Sequence, residues 1–105
     1  MKVIYSKNVI DFLADLIEIL YNQDYLGFKD SAKKYVAELI TEIDSTITTK
    51  HKRIAPEHFD RYGKNMYYVS YRRNKNTIWY VFFNYTENIY YVRYIANNHA
   101  VAQYI

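Results

Sequence analysis

Three runs of β-type residues dominate the second half of the chain. They are MYYVSYRRN at 66–74, TIWYVFFNY at 77–85 and IYYVRYIA at 89–96. Their Val, Ile, Tyr, Phe and Trp side chains suit a pleated, half-buried surface. The linkers Asn74-Lys75-Asn76 and Glu87-Asn88 have the composition of tight hairpins. The pattern therefore predicts an antiparallel meander of three strands.

The middle run differs from its neighbours because both of its alternating sets are apolar. One set contains Tyr80 and Phe82, and the other contains Trp79, Val81 and Phe83. Alternation places the two sets on opposite faces of a sheet. We therefore expect this strand to be central and covered or used on both faces.

Two amphipathic helices are predicted between a short strand at 3–5 and the meander. In both, apolar residues recur at spacings of three and four. The first helix begins after Ser6 or Asn8, either of which can cap it, and ends at 21–22. The second spans 28–48. A short connection joins them, so we expect an antiparallel helical hairpin whose apolar face packs on the sheet.

The predicted fold class is α+β, with an N-terminal strand and an antiparallel helical hairpin packed on a small, mostly antiparallel sheet. The 105 residues suffice for one domain spanning the whole chain, and half of them are hydrophobic. A chain of this length buries enough surface for a single core. Residues 50–64, which contain Pro56, are predicted to be a loop.

Composition excludes several classes of site. The chain has no cysteine, which removes disulfides, thiolate metal sites and a cysteine nucleophile. Its two glycines cannot build a phosphate-cradling loop. His51, His58 and His99 have no second ligand at metal spacing, so we expect no metal and no cofactor. The chain has no long apolar stretch and no secretory signal, so a cytoplasmic protein without membrane contact is expected.

The net charge of +3 is unevenly distributed. Residues 1–49 carry five Lys/Arg against eight Asp/Glu, whereas residues 50–105 carry nine against three. A field concentrated in one segment attracts polyanions or an acidic partner. The RNA-binding residues predicted on this ground are Lys50, Lys52, Arg53, Arg72 and Lys75. A solvated loop that only keeps the protein soluble is the alternative interpretation.

The face of the sheet away from the helices is expected to be open, aromatic and cationic. Such a face suits RNA or a peptide strand, because rings hold splayed bases and guanidinium groups stabilise charge on a phosphate. The residues of this region that could act in catalysis are Arg73, Arg93 and His99, and Tyr104 is a ring on which a base could stack. Each has a simpler interpretation: a solvated charge for the arginines, a chain-end turn for His99 and a packing anchor for Tyr104.

The order of strand, helical hairpin, basic loop, meander and tail resembles the RelE/ParE superfamily of type II toxin–antitoxin toxins. The likeness covers essentially the whole chain and includes KHKRIAPEHFDRYGKNMYYVSYRRNKNTIWYVFF and YYVRYIANNHAVAQYI. It is strongest to the plasmid-stabilisation-type branch. The resemblance implies a microbial-RNase-like fold. The basic positions that nucleases of the family use on the first meander strand fall here on Tyr68 and Ser70, and the second-strand arginine falls near Trp79. The late aromatic position falls near Tyr104, with His99 as the alternative, so the resemblance adds Tyr104 to the predicted catalytic residues.

The resemblance also implies a function and partners. It implies a bacterial toxin neutralised by a cognate antitoxin, acting by metal-independent, ribosome-dependent cleavage of mRNA that inhibits translation. Inhibition of DNA gyrase, as by ParE-like members, is one alternative. A catalytically inactive toxin-fold module that acts only through its antitoxin is another. A homodimer and a hetero-oligomer with the antitoxin both stay open.

Overall fold

A computed structural model describes residues 2–22 and 29–105 of the chain. Its strands are β1 (Lys2–Tyr5), β2 (Arg53–Ile54), β3 (Tyr67–Asn74), β4 (Thr77–Thr86) and β5 (Ile89–Asn97), and its helices are α1 (Lys7–Asn22), α2 (Lys29–Thr46) and α3 (Asn98–Val101). The five strands of the described residues form one sheet in the order β1-β5-β4-β3-β2. β1 runs parallel to β5, and all other neighbours are antiparallel. The predicted α+β class, opening strand and central β4 are confirmed.

The described residues divide into two units. Residues Ile10–Lys50 form one, which contains most of α1 and all of α2. Here Lys29 Nζ lies 2.7 Å from Glu18 Oε1, and the hydrogen bond to this carboxylate raises the pKa of Lys29. The predicted connection around Gly27, and Phe28 at the predicted start of α2, lie outside the described residues. In the part of the chain that the structure describes, no helix has the length and apolarity that a membrane crossing requires.

The second unit contains residues 1–9 and His51–Ile105. At the start of α1, the Ser6 Oγ accepts the Val9 N–H at 3.4 Å, so Ser6 is the cap of the helix. Asn8, the other predicted cap, instead donates its side-chain N–H to the carbonyl of Arg93 at 3.0 Å. The first turn of α1 is thereby tied to β5.

Two irregularities and one tight turn shape the meander. Glu87 and Asn88 have φ values of 47° and 67°, which is the left-handed pair that a two-residue hairpin turn requires. The β3–β4 register shifts between Arg72 and Asn74, so Arg73 lies at an irregularity of the ladder. The β4–β5 register shifts at Phe82/Phe83, which leaves Arg93 unpaired in a bulge.

The prediction of a loop over 50–64 was wrong in two places. Arg53 and Ile54 form β2, which pairs with β3 through Arg53↔Tyr68 and Ile54↔Tyr67. Residues Glu57–Arg61 form a 3₁₀ turn directly after Pro56. A two-residue edge strand and a single turn are too short to show a hydrophobic period, so the sequence pattern did not reveal them.

Candidate nucleic-acid interface

One face of the meander carries a continuous set of rings, which we call the ring face. Its members are Tyr68 of β3, Tyr80 and Phe82 of β4 and Tyr94 of β5. Phe59 of the 3₁₀ turn lies on this face with its ring centroid 4.3 Å from that of Phe82, and both side chains are fully buried. Because Phe59 covers the rings, the expectation of an open aromatic face was wrong.

The C-terminal tail covers the same face. Asn97 accepts the Ala100 N–H with its side chain and so begins α3, and Val101 is buried in the cluster that contains Phe59 and Phe82. The Asn98 side chain accepts the Ile78 N–H at 3.0 Å and donates to the Asn76 carbonyl at 3.2 Å. These bonds fix the tail to the β3–β4 hairpin. The ring face is therefore a small second core and not a binding platform.

The border of this covered face holds a group of polar and aromatic side chains, which we call the rim cluster: His58, Arg61, Tyr62, Tyr94 and Tyr104. The imidazole of His58 is stacked on the ring of Tyr104, with centroids 3.6 Å apart and planes 4° from parallel. Arg61 donates from Nε to the His58 carbonyl at 3.1 Å, and its Nη2 lies 3.5 Å from His58 Nδ1. Tyr104 remains 40% exposed.

The contact between Arg61 and His58 depends on the tautomer of the imidazole. A guanidinium group only donates hydrogen bonds, so His58 Nδ1 can accept this contact only in the form whose ring proton lies on Nε2.

Tyr62 and Tyr94 form the second ring pair of the rim cluster. Their centroids lie 3.7 Å apart and their planes are 5° from parallel. Burial and a hydrogen bond to Tyr62 together raise the pKa of Tyr94 to about 12, although the nearby Arg61 charge acts in the opposite direction. Tyr94 therefore stays a neutral phenol at physiological pH.

Arg93 is held from several sides. Its Nε donates to Asn84 Oδ1 at 2.5 Å, and its guanidinium carbon lies 5.9 Å from the centroid of the Tyr91 ring. The Asn84 side-chain amide donates in turn to the carbonyls of Lys64 at 2.9 Å and Asn65 at 3.4 Å. The residue that the sequence marked as a catalytic candidate thus has a fixed position.

The remaining two predicted catalytic residues lie elsewhere. Arg73 sits in the bulge near the end of β3, and His99 follows Asn98, whose side chain bonds the β3–β4 hairpin. Arg93 lies opposite Phe82 and Phe83 of β4, whereas the hairpin end lies beside Ile78 of the same strand. These two positions on β4 are separated by about 13 Å along the strand. Arg73 and His99 therefore lie at one end of the meander, whereas Arg93 lies near the middle of β5. The structure does not gather the four residues into one site.

The predicted RNA-binding residues are also spread out. Arg72 bonds its own hairpin, donating to the carbonyls of Asn74 at 3.4 Å and Lys75 at 3.3 Å. Lys52 lies over the Tyr67 ring at 5.4 Å, and Arg53 is exposed on the edge strand β2. Lys75 is exposed in the hairpin turn and Lys50 is half-buried. These cations line an edge and a hairpin end of the sheet and do not converge on a single point.

The sequence pattern did not single out Arg61, Tyr62 or Asn84 as site residues. It placed His58 in the basic loop, where a solvated pair with Glu57 was preferred to a base and its orienter. The available signal was Phe59, a large apolar residue that stands among polar ones three residues after Pro56. An aromatic residue in that position needs a buried partner, so its neighbours are brought to the border of a core.

Among residues 2–22 and 29–105, no group of three or more His, Asp or Glu side chains could hold a metal ion. Comparison of the chain with protein families, with curated proteins and with solved structures found no match.

Proposed function

We propose that the chain is the toxin of a type II toxin–antitoxin system of RelE/ParE type and that it cleaves mRNA at the ribosome without a metal. The order of strand, two helices, meander and tail supports the toxin fold. The observation that carries the nuclease activity is the stack of His58 on Tyr104, with Arg61 bonded to the same histidine.

Metal-independent RNA cleavage needs few groups. The 2′-oxygen attacks the adjacent phosphorus, the bond from phosphorus to the 5′-oxygen breaks, and a 2′,3′-cyclic phosphate forms. The proton lost from the 2′-hydroxyl passes to a base, and the leaving 5′-oxygen takes one from an acid. In this proposal the imidazole of His58 takes the proton of the 2′-hydroxyl and, as the imidazolium, gives a proton to the leaving 5′-oxygen, so that it ends in its starting form. Arg61 stabilises charge that develops on the phosphate oxygens.

The proposal is tested by inducing the chain in bacteria with and without the protein encoded by the neighbouring gene. We expect growth arrest that the neighbouring protein relieves, and primer extension on a reporter mRNA should show discrete cuts. His58→Ala should abolish the cuts. His51→Ala is the matched control, because His51 is exposed and lies outside the rim cluster. Equal cutting by the two variants would refute the role of the rim cluster.

A second candidate function is inhibition of DNA gyrase through protein contacts. The specific observation that favours it is the separation of Arg73 and His99 from Arg93, since dispersed charges fit a protein surface better than one scissile phosphate. A supercoiling assay with purified gyrase distinguishes the two toxins. Unimpaired growth on induction would instead favour the inactive binding module.

A further inference from the structure

Arg93 combines a solvent-exposed guanidinium group with an unusually fixed side chain. It is the unpaired residue of the β5 bulge, and its own carbonyl accepts the Asn8 amide at 3.0 Å. Further out, Nε is bonded to Asn84 and the guanidinium carbon lies near the Tyr91 ring. Within residues 2–22 and 29–105, the terminal nitrogens Nη1 and Nη2 have no hydrogen-bond partner.

Gly63 provides the space in which this side chain lies. A Cβ atom at Gly63 would come within 2.7 Å of Arg93 Cδ, and it would also lie 3.1 Å from Met66 Sδ and 3.4 Å from Asn84 Oδ1. Real Cβ contacts are almost never as short as the first of these. The φ angle of Gly63 is not positive, so the requirement here is for space and not for backbone freedom.

These contacts place the aliphatic part of the Arg93 side chain against Gly63, the residue that follows Tyr62 of the rim cluster. An arginine whose guanidinium group is already held in place loses less conformational entropy when it binds a planar or tetrahedral anion. The two terminal nitrogens of the guanidinium group can donate to two oxygens of one phosphate.

We propose that Arg93 binds one phosphate of single-stranded RNA, and that Asn84 and Gly63 are positioning residues for its guanidinium group. The inference rests on the proposed function, because it takes the RNA substrate from it. Asn84 holds Nε, which leaves Nη1 and Nη2 for the phosphate. Gly63 lets the aliphatic part of the side chain lie close to the backbone that follows the 3₁₀ turn.

Binding of a short, fluorescently labelled single-stranded RNA by the purified chain tests this site. We expect Arg93→Gln to weaken binding about tenfold at low salt, the loss of one charge-assisted contact. The slope of log Kd against log salt concentration should fall by about 0.7, the value for one phosphate on a single strand. Lys33→Gln removes the same charge from an exposed position on α2 and should change the slope little.

A double-mutant cycle separates positioning from mere structural support. Asn84→Ala should weaken RNA binding in the wild-type background and add no further loss in the Arg93→Gln background. Gly63→Ala should behave in the same way, with thermal unfolding recorded for every variant. Additive losses in the double variants would overturn the positioning role. An unchanged salt slope for Arg93→Gln, or no RNA binding by the wild-type chain, would overturn the phosphate site.

The result of the RNA-binding experiment is independent of the result of the cleavage test. RNA binding that depends on Arg93 without any mRNA cuts would refute the nuclease proposal and keep the phosphate site. If the mRNA cuts require His58 but Arg93→Gln binds RNA as the wild type does, the phosphate site is refuted and the nuclease proposal is kept.

Discussion

The imidazole of His58 and the phenol of Tyr104 stack face to face, with centroids 3.6 Å apart. The contact joins a 3₁₀ turn in the middle of the chain to its C-terminal end. It also joins an imidazole to the ring of a residue that was predicted to be catalytic.

Tyr104 should contribute differently to stability and to toxicity. Tyr104→Ala removes the stack and should lower the free energy of unfolding by about 1 kcal/mol, as measured in urea. Tyr104→Phe keeps the ring and should leave stability unchanged while reducing growth arrest, if the hydroxyl takes part in the reaction. Tyr85→Phe is the control, because Tyr85 is similarly exposed at 43%. Undiminished arrest by Tyr104→Phe would exclude a chemical role for the hydroxyl.

Phe59 should be the residue that closes the ring face. Its side chain is 1% exposed and lies on Phe82, so Phe59→Ala should cost about 3–5 kcal/mol. For a chain of this size, that loss lowers Tm by more than about 10 °C. Ile54→Ala is the control, since Ile54 is 79% exposed and its truncation should leave Tm almost unchanged. Equal Tm values for the two variants would contradict the covered face.

Asn98 should hold the tail to the sheet. Asn98→Ala removes the acceptor of the Ile78 N–H and should cost about 1–3 kcal/mol, with faster hydrogen exchange at that amide. In Asn76→Ala the backbone carbonyl that Asn98 binds is retained, so the variant should keep the protection. Unchanged exchange at Ile78 in Asn98→Ala would show that the tail is held by other contacts.

Tyr94 should make the fold sensitive to alkaline pH. Its pKa is about 12 in the folded protein, above the ordinary value of 10, because burial and the bond to Tyr62 favour the neutral phenol. Its stabilising contribution is complete below pH 10 and is lost as pH rises toward 12. Tyr94→Phe cannot ionise, so its unfolding free energy should fall less steeply over this range. Equal slopes for wild type and variant would contradict the raised pKa.

The hairpin end provides a test of the catalytic set that the sequence suggested. Arg73→Glu should relieve growth arrest if Arg73 contacts RNA, and combining it with His99→Ala should abolish the arrest. Full toxicity of the double variant would exclude both residues from the site. If the double variant loses its toxicity and His58→Ala still arrests growth, the site lies at the hairpin end and not at the rim cluster.

The secondary structure could be read from the sequence because its signals are local. Alternation of side chains in 66–96 and the period of three and four in 9–20 require no partner to be recognised. Both faces of β4 are apolar, and this alone predicted its central place in the sheet. The turn at Glu87-Asn88 was predictable for the same reason, since the composition of two residues determines it. β2 and the 3₁₀ turn at Glu57–Arg61 were missed because neither is long enough to show a period.

The sequence by itself therefore determined the order of the longer strands and helices along the chain, the asymmetry of charge and the positions of the aromatic residues in the strands. Only the tertiary structure decided which rings are covered and which polar groups meet. The contacts of His58 with Tyr104, and of Gly63 with Arg93, join residues far apart along the chain. Such pairs depend on the register of β5 against β4 and on the path of the tail, and neither leaves a periodic trace in the amino-acid sequence.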